Sequence, residues 1–125
     1  MEVLLSENLA LDWKKCLKNI TTRSYLKPFD PVLLQFTEQL SKKILLIRES
    51  KYYPEIMALG FWLRKANIRK MKNNFLDQQK NKFILPRGIV LHFAPSNVDT
   101  IFVYSWIISL LMGNCNVIRL FYLRC

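Results

Sequence analysis

Residues 88–120 alternate between three kinds of sequence, and that alternation limits what the chain can build more than any bulk property. Ile89-Val-Leu-His-Phe93 is a short apolar run rich in β-formers, which predicts a buried strand, and Gly88 eases the turn into it. Pro95-Ser96-Asn97 breaks the run. A longer apolar stretch, Ile101 to Met112, follows as a core helix, with Asn97 or Asp99 to cap its start and Gly113 placed as a left-handed C-cap. Val117-Ile118-Arg119-Leu120 then reads as a second strand. Strand, helix and strand in this order imply a parallel βαβ unit with a right-handed crossover.

The residues ahead of this unit read as helices. Leu11, Trp13 and Leu17 among lysines predict a short helix or partly ordered arm over Leu9–Leu17. Asp30-Pro31 sets an N-cap side chain before a proline at the first helical position. Val32, Leu33, Phe36, Leu40, Ile44 and Ile47 then recur at helical spacing as far as about Arg48. One further helix is expected from Pro54-Glu55, with Ile56, Leu59, Trp62 or Leu63, Ala66, Met71 and Phe75 on its apolar side and Arg64, Lys65, Arg69 and Lys72 on its polar side. Asp77 to Lys82 is expected to be a polar linker. The class is therefore α/β: a helical, basic N-terminal segment, 1–82, followed over 83–125 by the first βαβ of a parallel, Rossmann-like sheet that is incomplete. Parallel sheets are normally covered on both faces, so uncovered edges and apolar faces predict poor solubility or oligomerisation.

Of the 125 residues, 51% are hydrophobic and 22% charged, which excludes wholesale disorder. The formal net charge of +10 is unevenly placed. Twelve basic residues fall between Lys42 and Arg87, against Glu49, Glu55 and Asp77. Such a face attracts anions, whether nucleic acid, acidic membrane surfaces or phosphate-bearing ligands, or is simply a solvated helix surface. One reading of the chain is accordingly a basic helical module that binds membrane lipid headgroups or nucleic acid. The three cysteines lack the paired spacing of a disulfide framework or zinc site, so no metal is expected and a reducing cytoplasm fits best. An acidic residue at position 2 and the absence of a long apolar core argue against a signal peptide. The stretch 101–112 is too short to span a bilayer.

In a parallel βαβ unit the loops at the carboxyl ends of the strands form the natural ligand edge. Pro95 to Asp99 is that loop. Asn97 carries two side-chain donors suited to an oxyanion, although loop asparagines more often serve turns and caps. Arg119, at the end of the second strand, is suited to a phosphate or is an exposed strand-end charge. His92 reads as a packed or hydrogen-bonded core histidine. Cys115, placed in the turn after Gly113, reads as structural or neutral.

Gly88-Ile-Val-Leu-His-Phe-Ala-Pro-Ser-Asn-Val98 and Leu110-Leu-Met-Gly-Asn-Cys-Asn-Val-Ile-Arg119 closely resemble the LuxC-type acyl-CoA reductase family, a branch of the aldehyde dehydrogenase superfamily, and Phe61-Trp62-Leu63-Arg64-Lys65-Ala66-Asn67 is similar to the helix before that core. The resemblance covers roughly Tyr53 to Leu120. It implies reduction of a fatty acyl thioester, from acyl-CoA or another acyl donor, to an aldehyde with NADPH through a cysteine thioester. By the same resemblance Asn97 stabilises the thioester oxygen, Pro95, Ser96 and the loop backbone border the cofactor, and Arg119 lies near its ribose phosphate. Asp99 departs from the family's usual proline, and the tail after Leu120 departs from its cofactor loop. None of Cys16, Cys115 and Cys125 matches the family's nucleophile. The resemblance thus implies an N-terminal fragment, inactive alone or completed by another subunit.

Overall fold

The computed structural model describes residues 9–22, 25–94 and 100–120. Five helices and two strands succeed one another: α1 (Leu9–Thr22), α2 (Pro31–Leu46), α3 (Pro54–Trp62), α4 (Lys65–Gln79), β1 (Ile89–Phe93), α5 (Ile101–Leu111) and β2 (Cys115–Arg119), with a 3-10 turn over Arg48–Tyr52. The expected class holds. The molecule is mixed α/β, with helices leading into a parallel two-stranded sheet.

α2 starts where the sequence places it. The Asp30 carboxylate accepts from the Val32 amide at 3.0 Å, and Pro31 occupies the first turn. Its buried line is Leu33, Thr37 and Ser41, while Val32 and Ile47 of the expected apolar stripe are exposed. α1 runs to Thr22, five residues beyond the expected arm.

The single helix expected from Pro54 is two. α3 ends at Trp62, and Arg64 adopts an extended ψ of 144° before α4 begins. The break withholds the Arg64 amide from the Gly60 carbonyl; it bonds Phe61 instead. Ser41 Oγ donates to the stranded Gly60 carbonyl at 2.7 Å, and Asn67 Nδ2 donates to Phe61 at 3.2 Å. The break also resets the helical phase. Leu63 and Ile68 turn inward, and Ala66, placed on the apolar side by an uninterrupted helix, is exposed. α4 extends to Gln79, so the first part of the expected linker is helical.

The core joins these helices to the βαβ unit. Leu63, Ile107 and Leu111 are almost wholly buried, with Phe29, Leu33, Leu59, Ile68 and Phe75 around them. Full burial of such side chains contributes roughly 1.5–3 kcal/mol each. Phe29 sits at a positive φ of 54°, costly for a bulky residue. Its amide donates to the Leu111 carbonyl at 2.6 Å, and its ring lies 5.3 Å from that of Phe75. The strain is therefore held by a hydrogen bond and a buried ring. Edge-on pairs Phe36–Trp106 and Trp62–Tyr104 complete the seam between α5 and the earlier helices.

β1 and β2 pair in parallel from Ile89 with Cys115 to Phe93 with Arg119. Gly113, at φ +82°, ends α5 as expected. β2 begins earlier than expected: Cys115 and Asn116 are strand residues, and the Cys115 amide donates to Gly88 at 2.8 Å. The expectation that β1 is buried needs correction. Val90 and His92 alternate with Ile89, Leu91 and Phe93, which are 39%, 52% and 58% exposed. α5 packs on this two-stranded sheet from the His92 side, and nothing among the described residues covers the other face, as an incomplete sheet requires.

Candidate functional site

The carboxyl ends of both strands lie side by side. Phe93 is in register with Arg119, and the Ala94 amide donates to the Arg119 carbonyl at 3.0 Å, carrying the ladder one step past β1. The chain leaves β1 at this edge and returns into α5, whose N-cap Thr100 makes no side-chain capping bond. Arg119 is exposed at the end of β2. Pro95, Ser96, Asn97 and Asp99 lie outside the described residues, so among the residues assigned to the site the structure places Arg119 alone.

What holds this edge is a polar network beneath the sheet. His92 is 9% exposed. Its Nε2 lies 2.9 Å from Asn116 Oδ1 and its Nδ1 lies 3.2 Å from Ser105 Oγ. Asn116 Nδ2 donates to the Asn114 carbonyl at 2.9 Å, which fixes Oδ1 as the acceptor and assigns the Nε2 proton of His92. The histidine thus bridges β1, α5 and β2, the hydrogen-bonded core role expected of it. Asn114 Oδ1 accepts from the Arg87 and Gly88 amides at 2.7 and 3.2 Å, clamping the start of β1 to the start of β2. With the second strand expected only from Val117, neither Asn114 nor Asn116 stood out in the sequence. The available signal was a pair of asparagines two apart, one of them at a strand position facing the histidine.

Cys115 is a partly buried free thiol paired in register with Ile89, a strand residue rather than a turn residue. The side chain of Cys16 and the whole of Cys125 lie outside what is described. Among the described residues no group of three or more His, Cys, Asp or Glu is placed to hold a metal, and no helix is long and apolar enough to cross a membrane.

The basic side chains of α4 divide by environment. Arg64 lies 4.2 Å over the Phe61 ring. Lys65 reaches Glu38 of α2 at 3.6 Å, and Lys42 meets the same carboxylate at 2.8 Å. The hydrogen bond and charge of Lys42, then the charge of Lys65, hold the Glu38 carboxyl below the usual glutamate range. Arg69 and Lys72 line an open trough between α2 and α4.

The architecture defines an α/β protein whose parallel sheet is begun and left open on one face. Residues 63–121 match the sequence model of the acyl-CoA reductase (LuxC) family. The match takes in α4, β1, α5 and β2, and it leaves residues 53–62, included in the resemblance read from sequence, outside it. Comparison with curated proteins and with solved structures returned no match.

Proposed function

We propose that this chain supplies the helical platform and the first cofactor-binding βαβ unit of an NADPH-dependent acyl-CoA reductase, acting where fatty acyl thioesters are reduced to aldehydes. The observation that carries the reading is the coincidence of the matched residues, 63–121, with the elements that build the strand-end edge. Residues 1–82 act as the platform, and 83–125 begin the NADP-binding domain, of the aldehyde dehydrogenase type.

In this reading Arg119, exposed beside the carboxyl end of β1, holds a phosphate of the cofactor. Pro95 and Ser96 border the cofactor, and Asn97 donates to the thioester oxygen as charge develops on it. NADPH supplies the hydride when bound. The His92 network keeps β1 and β2 in register and so steadies the edge at which Arg119 stands. Cys115 lies within the paired strand and is not displayed at the edge, so in this reading it is not the nucleophile. The protein works in the cytoplasm.

The test is complementation. The chain alone, given NADPH and a long-chain acyl-CoA, is expected to yield no sustained aldehyde. Mixed with a LuxC-type polypeptide carrying the cysteine region but lacking this segment, it is expected to restore aldehyde formation, with Asn97→Ala and Arg119→Glu lowering the restored rate at least tenfold. Turnover by the chain alone, or failure to complement, sinks the reading.

A further inference from the structure

The trough between α2 and α4 is a second place where the chain is shaped for a ligand. It is an open cavity of about 620 Å³ on the helical side of the molecule, lined by Pro31, Leu34 and Glu38 from the α2 side and by Ile68 and Leu76 with three cations from α4, with the neutral polar side chains of Gln35, Thr37 and Asn73 among them. That volume lies within the range of small-molecule sites. Most of its exposed lining is apolar, and the aliphatic part is Leu34, Ile68 and Leu76. Leu34 and Ile68 belong to the core beneath it, while Leu76 is 46% exposed and forms an apolar end.

Lys65, Arg69 and Lys72 follow one another at helical spacing along one wall. The facing wall carries a single carboxylate, Glu38, already engaged by Lys42 and Lys65. Arg69 and Lys72 make no ion pair among the described residues, which leaves the trough with net positive charge. From Arg69 to Leu76 the wall rises about 10 Å at 1.5 Å per residue. An extended alkyl chain advances about 1.3 Å per C–C bond, so about eight bonds span that length.

An aliphatic floor alone would accept any apolar partner, and a cationic rim alone any anion. Together, in one trough of this length, they select a molecule that carries both. We propose that the α2–α4 trough binds a single-chain anionic amphiphile, its phosphate-bearing head held by Arg69 and Lys72 and its alkyl chain laid over Leu34, Ile68 and Leu76. The site is remote in sequence from Arg119 and the strand ends, and the inference stands whether or not the chain acts in acyl reduction. The ligand is the dispersed molecule rather than a bilayer surface, because the floor is a recessed trough and not a flat apolar face.

The test uses the whole chain and dodecyl phosphate below its aggregation concentration, with binding followed by calorimetry and by amide chemical shifts. Dodecyl phosphate is expected to bind at one site, at least tenfold more tightly than hexyl phosphate, because the methylenes it adds within the trough leave water. Inorganic phosphate is expected to give no saturation in the same range. Shifts are expected along α2 and α4. The double variant Arg69→Glu, Lys72→Glu is expected to weaken binding at least tenfold with its urea midpoint unchanged, and Leu76→Gln to reduce the dependence on chain length. Four results would overturn the proposal: inorganic phosphate binding as tightly as the amphiphile, undiminished binding by the double variant, shifts confined to the open sheet face at Leu91 and Phe93, or binding to anionic phospholipid vesicles without binding to the dispersed probe.

Discussion

Replacing Gly113 with alanine tests how the two ends of the described fold are joined. The residue stands at φ +82°, where an L side chain costs roughly 1–2 kcal/mol. A Cβ there also runs into the backbone carbonyl oxygen of Leu26 and meets its carbonyl carbon at 3.1 Å, atoms that no rotamer change can clear. The turn at 26–27 must therefore move. That turn leads directly into Phe29, whose amide bond to Leu111 is worth about 0.5–1.5 kcal/mol and whose ring is 7% exposed. Losing the hydrogen bond and part of the ring's burial brings the expected total to about 3–5 kcal/mol. Urea unfolding followed by fluorescence should show the midpoint falling by about 2 M for a slope of about 2 kcal/mol/M. Gly88→Ala is the control, since at φ +104° its Cβ meets only the end of the Tyr25 side chain, the hydroxyl at 3.4 Å and the carbon bearing it at 3.8 Å. It should show backbone strain of about 1–3 kcal/mol without the collision. A loss at Gly113 below about 2 kcal/mol, the left-handed cost alone, would refute the reasoning.

Three other substitutions probe the polar joints. Ser41→Ala leaves the Gly60 carbonyl without the donor that replaced its helical partner, and should cost about 1–3 kcal/mol in the same unfolding assay. Asn116→Ala removes the acceptor from the Nε2 proton of His92 and should cost a similar 1–3 kcal/mol; unchanged stability would show that the bridge carries no load. Because the folded pKa of Glu38 is depressed, its contribution is present above the ordinary glutamate range and is lost as pH falls through the lowered value. Glu38→Gln should therefore flatten the acid side of the stability–pH curve while leaving its slope near neutrality unchanged, and added salt should shrink the difference.

The elements most legible in the sequence were those with a residue that dictates backbone geometry. Asp30-Pro31 fixed the head of α2, and Gly113 fixed the end of α5. The break at Arg64 was not legible, because neither glycine nor proline marks it. It is held by Ser41 and Asn67, one of them far away in sequence, and periodicity taken across the break put Ala66 inward in place of Ile68. The extent of β2 was missed for a related reason. Asparagines read as turn formers, but Asn114 and Asn116 spend their side chains on β1 and His92, which pattern along the chain does not reveal. At the candidate site, composition suggested an arginine at a strand end, and register alone could show that Arg119 sits beside Phe93.

The bond from Phe29 to Leu111 and the close approach of Leu26 to Gly113 also set an order of events for a chain emerging from a ribosome. α2 can begin to coil as soon as Asp30 and Pro31 appear, yet the turn before it has nothing to lock onto until α5 has been made. The strained φ at Phe29 has no offset during that interval, so the segment 25–29 is expected to stay unsettled until Leu111 has been made. The late arrival of Leu111 to Gly113 then closes the core in a single long-range step, the kind of non-local contact that slows folding.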